Sequence, residues 1–148
     1  MTVDEAIHDV EFIGIDTMPF IYFVERNVEY YPRVQAIFRK IEQGSMYGFT
    51  SMLTLTEVLI HPLRTGDTML AARYQQILVG TQNVTSRYVK ENVALTAADL
   101  RARYRLKTPD AIQLATAISE ECEAFLTNDR DLRRVTEISV LILDDLTL

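Results

Sequence analysis

The most informative segment of the chain runs from residue 106 to residue 131. It reads LKTPDAIQLATAI at 106–118 and, after a polar break, AFLTNDRD at 124–131. The first half predicts a helix with Thr108 as its N-cap, Pro109 at the first helical position and Asp110 in the first turn. Small residues recur at helical spacing behind them, which allows this helix to lie close against a sheet. The second half predicts a short buried strand that ends in an acid-rich turn.

Acidic residues stand at the ends of these elements. Asp110 opens the helix, and Asp129 and Asp131 follow the predicted strand. Nearer the N-terminus, the apolar run from Phe12 predicts a first strand, which ends in Asp16. In open α/β sheets, ligands bind outside the carboxyl ends of the strands, and helix N-termini lie at the same edge. We therefore expect these acids to gather at one edge of a sheet.

The rest of the chain alternates between strand and helix patterns. The predicted strands are residues 12–16, 47–50, 83–85, 124–127 and 139–143. The predicted helices are residues 16–24, 34–41, 52–60 (capped by Ser51 and terminated with the help of Pro62), 69–78, 87–104 and 108–122. This alternation predicts an α/β fold, with a mostly parallel sheet covered on both faces.

Length and composition predict one folded domain over residues 1–148. The hydrophobic fraction is 48%, and the lone cysteine, Cys122, has no partner for a disulfide; we expect it to be a buried, inert thiol on the apolar face of the last predicted helix. No signal peptide and no membrane-spanning segment are apparent, so we expect no membrane association and an intracellular, cytoplasmic location. The net charge of −6 argues against strong non-specific binding of nucleic acid.

Two charged features have alternative interpretations. Glu57 lies among apolar residues of its predicted helix, where a buried carboxylate is costly unless it is paired or binds metal. The alternative is that Glu57 lies on a solvent-facing stripe with Thr54. The basic residues from Arg101 to Lys107 form either a solvated helix face or a basic rim, suited to phosphates, beside the acids.

Asp16, Glu57, Asp110 and Asp129 come from four separate segments. Gathered carboxylates repel one another, so a cation has to neutralise them. Oxygen ligands without a histidine or cysteine set indicate Mg²⁺ or Mn²⁺ rather than zinc. Two such ions can clamp a phosphodiester and activate water for in-line attack.

Four pieces of sequence carry a family resemblance: IDT at 15–17, TLTEVL at 54–59, LKTPDAIQLATA at 106–117 and FLTNDRDL at 125–132. In this order and over nearly the whole chain they resemble the PIN-domain family, of the type found as the ribonuclease toxin in VapBC toxin–antitoxin pairs. The resemblance implies a three-layer α/β/α sandwich and Mg²⁺- or Mn²⁺-dependent endoribonuclease activity. It also implies RNA as substrate, a cognate antitoxin as partner, and a homodimer.

The same resemblance maps the catalytic and metal-binding acids to Asp16, Glu57, Asp110 and Asp129. It maps supporting groups to Thr17, Thr127 and Asn128, and Asp131 replaces or assists Asp129 as the fourth acid. Our hypothesis is that the three aspartates hold the metal, directly or through water, and that Glu57 completes the shell or orients the attacking water.

Two other classes of protein are alternatives. The first is a catalytically silent PIN-like module that binds RNA or protein. The second is a haloacid-dehalogenase-type phosphatase or a response-regulator receiver. The phosphatase pattern requires a second acid at position 18, which is Met18 here, and the receiver pattern requires a lysine in the turn after Thr127, which is absent. Both observations argue against this second alternative.

Overall fold

The computed structural model describes residues 1–148 and contains five strands and seven α-helices. The strands are β1 (Phe12–Ile15), β2 (Tyr47–Ser51), β3 (Val84–Arg87), β4 (Ala124–Thr127) and β5 (Ser139–Ile142). The helices are α1 (Val3–Ala6), α2 (Thr17–Val24), α3 (Tyr31–Glu42), α4 (Met52–Thr65), α5 (Thr68–Gly80), α6 (Glu91–Tyr104) and α7 (Thr108–Ser119). None of the helices combines the length and the hydrophobicity that crossing a bilayer would require.

All strands pair in parallel, in the order β3-β2-β1-β4-β5. The chain therefore extends the sheet from β1 through β2 to β3, then returns to the other side of β1 for β4 and β5. The point where the strand order reverses lies between β1 and β4. A crevice forms outside the carboxyl ends of the strands at such a reversal, and it is the usual ligand site of open α/β sheets.

Two hydrophobic cores cover the two faces of the sheet. On one face, α1 to α5 bury residues such as Phe20, Ile37 and Leu78 against β1 and β4. On the other face, α6 and α7 bury residues such as Leu100 and Leu114. The fold is thus a three-layer α/β/α sandwich, which confirms the predicted fold class.

Helix α7 lies very close to β1. A Cβ atom added to Gly14 would stand only 2.4 Å from the Cβ of Ala117. Most of the residues that α7 buries are small or medium-sized, and Ala111, Ala115 and Ala117 are almost fully buried. The expectation that small residues bring this helix against the sheet is confirmed.

Several predicted boundaries are wrong. Thr108 is not the N-cap of α7, because the carbonyl of Lys107 already accepts the first helical hydrogen bond, from Ala111 N–H at 3.0 Å. Pro62 does not terminate α4: the helix runs on to Thr65 and ends where Gly66 takes a left-handed conformation, with φ of 75°. Pro62 lacks an N–H and so removes one helical hydrogen bond, but the helix continues past it, and the positive φ at Gly66 decides the end.

Two further differences concern helix ends, and one helix was missed. Helix α6 begins at Glu91 rather than at Arg87, because Arg87 still pairs with Ser51 at the end of β3. Helix α7 ends at Ser119, so Cys122 lies after the helix, although it is buried as expected. Burial raises the pKa of this thiol to about 12, which fits an inert group. The short helix α1 was not predicted.

Candidate active site

The four predicted acids line one cleft, of about 480 Å³, at the carboxyl edge of the sheet. Asp16 directly follows β1, and Asp129 lies two residues beyond β4. Asp110 is in the first turn of α7, and Glu57 projects from α4. The topology explains this convergence, because β1 and β4 are neighbours at the reversal of strand order.

Asp16 is held by hydrogen bonds to both of its carboxylate oxygens. The backbone N–H of Thr17 donates to Oδ1 at 2.8 Å, so Asp16 is also the N-cap of α2. The hydroxyl of Thr127 donates to Oδ2 at 2.7 Å. Burial raises the pKa of Asp16 although both hydrogen bonds lower it, and the nearby charges of Glu57 and Asp129 raise it further. The Asp16 carboxylate is therefore fixed in position at an electrostatic cost.

Glu57 is half-buried in the same cleft and accepts a hydrogen bond from the hydroxyl of Thr17 at 2.7 Å. The alternative that Glu57 shares a solvent-facing stripe with Thr54 is wrong, because Thr54 has no exposed surface. Thr17 thus contacts two of the four acids, Asp16 through its backbone and Glu57 through its side chain.

The carboxyl group of Asp110 is also strongly perturbed. Burial and the negative charges of Asp16 and Asp129 raise its pKa to about 6, while Lys107 opposes the shift. The helix dipole of α7 favours an ionised Asp110, so burial and repulsion together outweigh the dipole. The basic side chains of the protein therefore do not fully neutralise the negative charge of the cleft.

Of the two acids after β4, only Asp129 lines the cleft. Asp131 is exposed and paired with Arg134 at 2.9 Å, which holds the pKa of Asp131 below its usual range. Asn128 also lines the cleft, and its Oδ1 accepts from the backbone N–H of Asp144 at 2.9 Å. This geometry favours Asp129 over Asp131 as the fourth acid. Asp131 and Asn128 instead contact residues other than the four acids, namely Arg134 and Asp144.

The cleft suits a hard divalent cation by the chemistry of its donors, which are all oxygens. The structure contains no group of three or more His, Cys, Asp or Glu side chains already arranged to hold a metal ion. Magnesium typically binds through one or two carboxylates, retaining several waters and contacting the phosphates of the substrate. A group of separated carboxylates that repel one another fits that mode of binding.

The basic rim is smaller than the sequence allowed. Arg103 is paired with Asp99 and Glu137, and Arg101 donates to the backbone carbonyl of Leu106. Arg130 does line the cleft, although Asp145 lies 2.9 Å from its guanidinium. Within the run from Arg101 to Lys107 only Arg103 is ion-paired, and no residue of the run lines the cleft. Arg130 is the cation that lines the cleft beside the acids.

Gln113 was not predicted as a site residue, yet it lines the cleft and is only 2% exposed. Its Oε1 accepts from the backbone N–H of Ser51 and from the hydroxyl of Thr50, both at 3.2 Å. Its Nε2 donates to the hydroxyl of Thr54 at 2.6 Å. Because a backbone N–H can only donate, the bond from Ser51 fixes the orientation of the amide. Gln113 thus ties α7 to β2 and α4 beneath the acids.

We expect Gln113→Met to lower the free energy of unfolding by about 2–3 kcal/mol, because the buried Ser51 N–H loses its side-chain partner and the hydroxyls of Thr50 and Thr54 each lose one hydrogen bond. Chemical denaturation measures the change. The matched control is Gln75→Met, at an exposed glutamine of α5, where we expect less than about 0.5 kcal/mol. Equal effects of the two substitutions would contradict this role of Gln113.

A larger groove, of about 650 Å³, lies between α6 and α7. It is lined mainly by alanines and other apolar residues and contains no acid. The smaller cleft is the better candidate site because it gathers convergent polar groups with shifted pKa values.

Comparisons with known proteins agree with this architecture. The family model described as PIN domain matches residues 13–138. No curated protein sequence gives a significant match. Similar solved structures include VapBC2 from Rickettsia felis bound to a DNA fragment from its promoter (TM-score 0.71, 12% identity, covering 88% of this chain and 98% of that chain).

Two more solved structures share the fold. A toxin–antitoxin complex from Klebsiella pneumoniae has a TM-score of 0.66 at 22% identity, covering 90% of this chain and 97% of that one. DNA-bound VapBC from Salmonella typhimurium has a TM-score of 0.62 at 17% identity, covering 90% and 98%. These identities establish likeness of fold, and the family match extends over most of the chain. The chain therefore belongs to the PIN domain family.

Proposed function

We propose that this protein is a metal-dependent endoribonuclease that hydrolyses RNA phosphodiester bonds, with Asp16, Glu57, Asp110 and Asp129 as its catalytic and metal-binding residues. The observation that carries the proposal is the meeting of these four acids in one cleft, where burial and mutual repulsion raise the pKa of Asp110 to about 6. Such a cleft favours a divalent cation, Mg²⁺ or Mn²⁺.

The residues of the cleft have different roles in this proposal. A bound divalent cation would supply Lewis acidity toward the phosphate and toward the attacking water. The three aspartates would hold it, and the hydrogen bonds from Thr17 and Thr127 keep Asp16 oriented for this task. Glu57 has one oxygen occupied by the hydroxyl of Thr17, so its other oxygen is available to orient water.

Arg130 would contact a phosphate next to the cleavage position. Its guanidinium borders the cleft, and charge-assisted hydrogen bonds to phosphate oxygens are strong. Thr127 and Asn128 act in support, by fixing Asp16 and the turn after β4. Asp131 lies apart from the four acids and is a supporting residue of this turn through Arg134.

We further propose that the protein is the toxin of a type II toxin–antitoxin pair, with a cognate antitoxin as partner, a homodimeric state and a cytoplasmic location. The motif pattern supports this, and so do the similar folds of VapBC proteins and of a toxin–antitoxin complex. Co-purification with a small protein encoded beside this gene would support the pairing, and a monomer in sedimentation analysis would contradict the homodimer.

The activity is tested by incubating the protein with a mixed RNA pool in Mg²⁺ or Mn²⁺ and in EDTA. We expect discrete cuts in either metal, 5′-phosphate on the new ends, and no cleavage in EDTA. Cleavage that persists in EDTA would contradict the proposed chemistry. Absence of cleavage by folded protein that is stabilised by Mn²⁺ would favour a silent binding module.

A further inference from the structure

One aromatic side chain in the cleft has no part in the proposed chemistry. Tyr22 lines the same cleft as the four acids. It lies one helical turn after Met18 on α2, and both residues border the cleft. The half-buried aromatic ring lies among carboxylates, amides and hydroxyls, and the ring itself offers no charge to a cation or a phosphate.

The ring of Tyr22 is stacked on a second ring that is itself fixed. The centroids of Tyr22 and Tyr30 are 4.4 Å apart, with 23° between the ring planes. The hydroxyl of Tyr30 donates to Asp144 Oδ1 at 2.7 Å. The guanidinium of Arg33 lies 5.0 Å from the centroid of the Tyr30 ring and donates to the carbonyl of Leu143 at 2.9 Å.

These contacts connect the stacked rings to the cleft wall. The side chain of Asp144 accepts the hydrogen bond from Tyr30. The backbone N–H of the same residue donates to Asn128 Oδ1 at 2.9 Å, and Asn128 borders the cleft. Tyr22 thus stacks on Tyr30, whose contacts connect it to α3, the turn after β4 and the C-terminal turn. A ring held in this way loses little conformational entropy when a ligand packs on it.

Charge restricts what this cleft can bind. The protein carries a net charge of −6, and Arg130 is the one cation that borders the cleft, so backbone electrostatics alone attract a polyanion weakly. Stacking on an aromatic ring adds affinity for nucleic acid without requiring positive charge. It also requires a base that is not paired in a duplex.

We infer that Tyr22 forms a nucleobase-stacking subsite beside the acids and selects single-stranded RNA at the position of cleavage. The inference rests on the proposed nuclease function for the identity of the polymer. An apolar protein segment is a poorer occupant, because only two of the residues that line the cleft are hydrophobic. The subsite explains how an acidic protein positions an RNA strand for which it has little general electrostatic attraction.

The kinetic test compares Tyr22→Leu with Tyr22→Phe on a single-stranded oligoribonucleotide. We expect Tyr22→Leu to lower kcat/KM by about 5- to 100-fold, mainly through KM, and Tyr22→Phe to recover most of that loss because the ring remains. Tyr88→Leu is the matched control, since Tyr88 is 71% exposed and lies outside the cleft. An unchanged KM in Tyr22→Leu, or equal loss in Tyr22→Phe, would overturn the inference.

A binding test separates this inference from the nuclease proposal. The chain contains no tryptophan, so Tyr22→Trp introduces a single tryptophan, whose emission is excited selectively over that of the tyrosines, and Tyr88→Trp provides the control. A single-stranded RNA of about 12 nucleotides is titrated into each variant while tryptophan fluorescence is followed. The titration is done in EDTA and, by rapid mixing, in Mg²⁺. It is then repeated with the same RNA in duplex form. We expect saturable quenching in Tyr22→Trp by the single strand only, in at least one of the two buffers.

The outcomes of this test are distinguishable. Quenching without any cleavage by the wild-type protein would support the subsite and contradict the nuclease. Cleavage by the wild-type protein without quenching in Tyr22→Trp would support the nuclease and overturn the subsite. Equal quenching in Tyr88→Trp, or by the duplex, would also overturn it.

Discussion

We expect Asp110→Asn to abolish RNA cleavage while making the metal-free protein more stable. Mutation of residues that only support the ligands of a metal site typically lowers metal affinity or activity by about 10- to 100-fold. Because Asp110 is itself a proposed ligand, we expect its substitution to lower activity by more than about 100-fold. The gain in stability comes from the raised pKa of Asp110, which shows that its ionised form is disfavoured in the folded state. Activity and stability should therefore change in opposite directions.

The pH dependence follows from the same shift. The pKa of Asp110 rises from an ordinary value of 3.8 to about 6 on folding. The wild-type protein thus loses stability, relative to the variant, as pH rises from about 4 to about 6, and the full difference is present above pH 6. Screening by solvent in the open cleft and the lost interaction with the α7 dipole reduce the net gain to about 1 kcal/mol, or about 2–4 °C in Tm.

Thermal unfolding between pH 4 and pH 8, with and without Mn²⁺, measures these effects. We expect Mn²⁺ to stabilise the wild-type protein by mass action and Asp110→Asn much less. Asp131→Asn is the matched control, because its carboxylate is exposed and stabilised by Arg134. We expect that control to retain cleavage and to gain no stability. A folded Asp110→Asn protein that cleaves RNA normally would refute our assignment of Asp110.

Three of the four acids of the cleft were predictable because each lies at the end of a strand or the start of a helix, whereas Glu57 lies within α4. Asp16 and Asp129 follow short apolar runs, and Asp110 follows a proline at a helix start. In a parallel sheet such positions meet at one edge, so local patterns were sufficient to predict a long-range arrangement. Asp131 shows the limit: only the structure reveals that Arg134 pairs with it, whereas Asp129 borders the cleft.

The supporting residues were harder to recognise. Gln113 contacts partners on β2 and α4, more than fifty residues away, and its one local signal is a polar residue one turn after Asp110. Tyr22 lies in an apolar helix, where the periodicity is equally typical of core packing. Helix ends such as the one after Pro62 depend on the backbone conformation of a single residue, Gly66, which propensity alone does not determine.

The second large effect concerns Gly14 in β1. We expect Gly14→Ala to lower the free energy of unfolding by about 3 kcal/mol and Tm by about 10 °C. The added Cβ would lie 2.4 Å from the Cβ of Ala117 and 3.0 Å from Cδ1 of Phe125. The Cβ of Ala117 is fixed to the backbone of α7, so no side-chain rotation relieves the contact and the helix itself has to move.

Two variants test that explanation by thermal and chemical denaturation. Gly48→Ala, in the neighbouring strand β2, places a Cβ 3.0–3.1 Å from the terminal methyl groups of Ile15 and Ile41, which can rotate away. We therefore expect a smaller loss there. The double variant Gly14→Ala/Ala117→Gly should be more stable than the sum of its single changes by more than about 1 kcal/mol, because the pair is in direct contact. Additive losses would contradict a direct clash.

The clash also links packing to activity, because β1 and α7 each carry an acid of the cleft. Asp16 follows β1 directly and Asp110 stands in the first turn of α7, so moving the helix outward changes their separation. A displacement of about 1 Å in a catalytic site can cost about 100-fold in rate. We expect Gly14→Ala, assayed well below its Tm, to lower kcat for RNA cleavage by at least about tenfold, and Gly48→Ala to lower it much less. If folded Gly14→Ala cleaves at the wild-type rate, the spacing of β1 and α7 does not control the relative position of the acids.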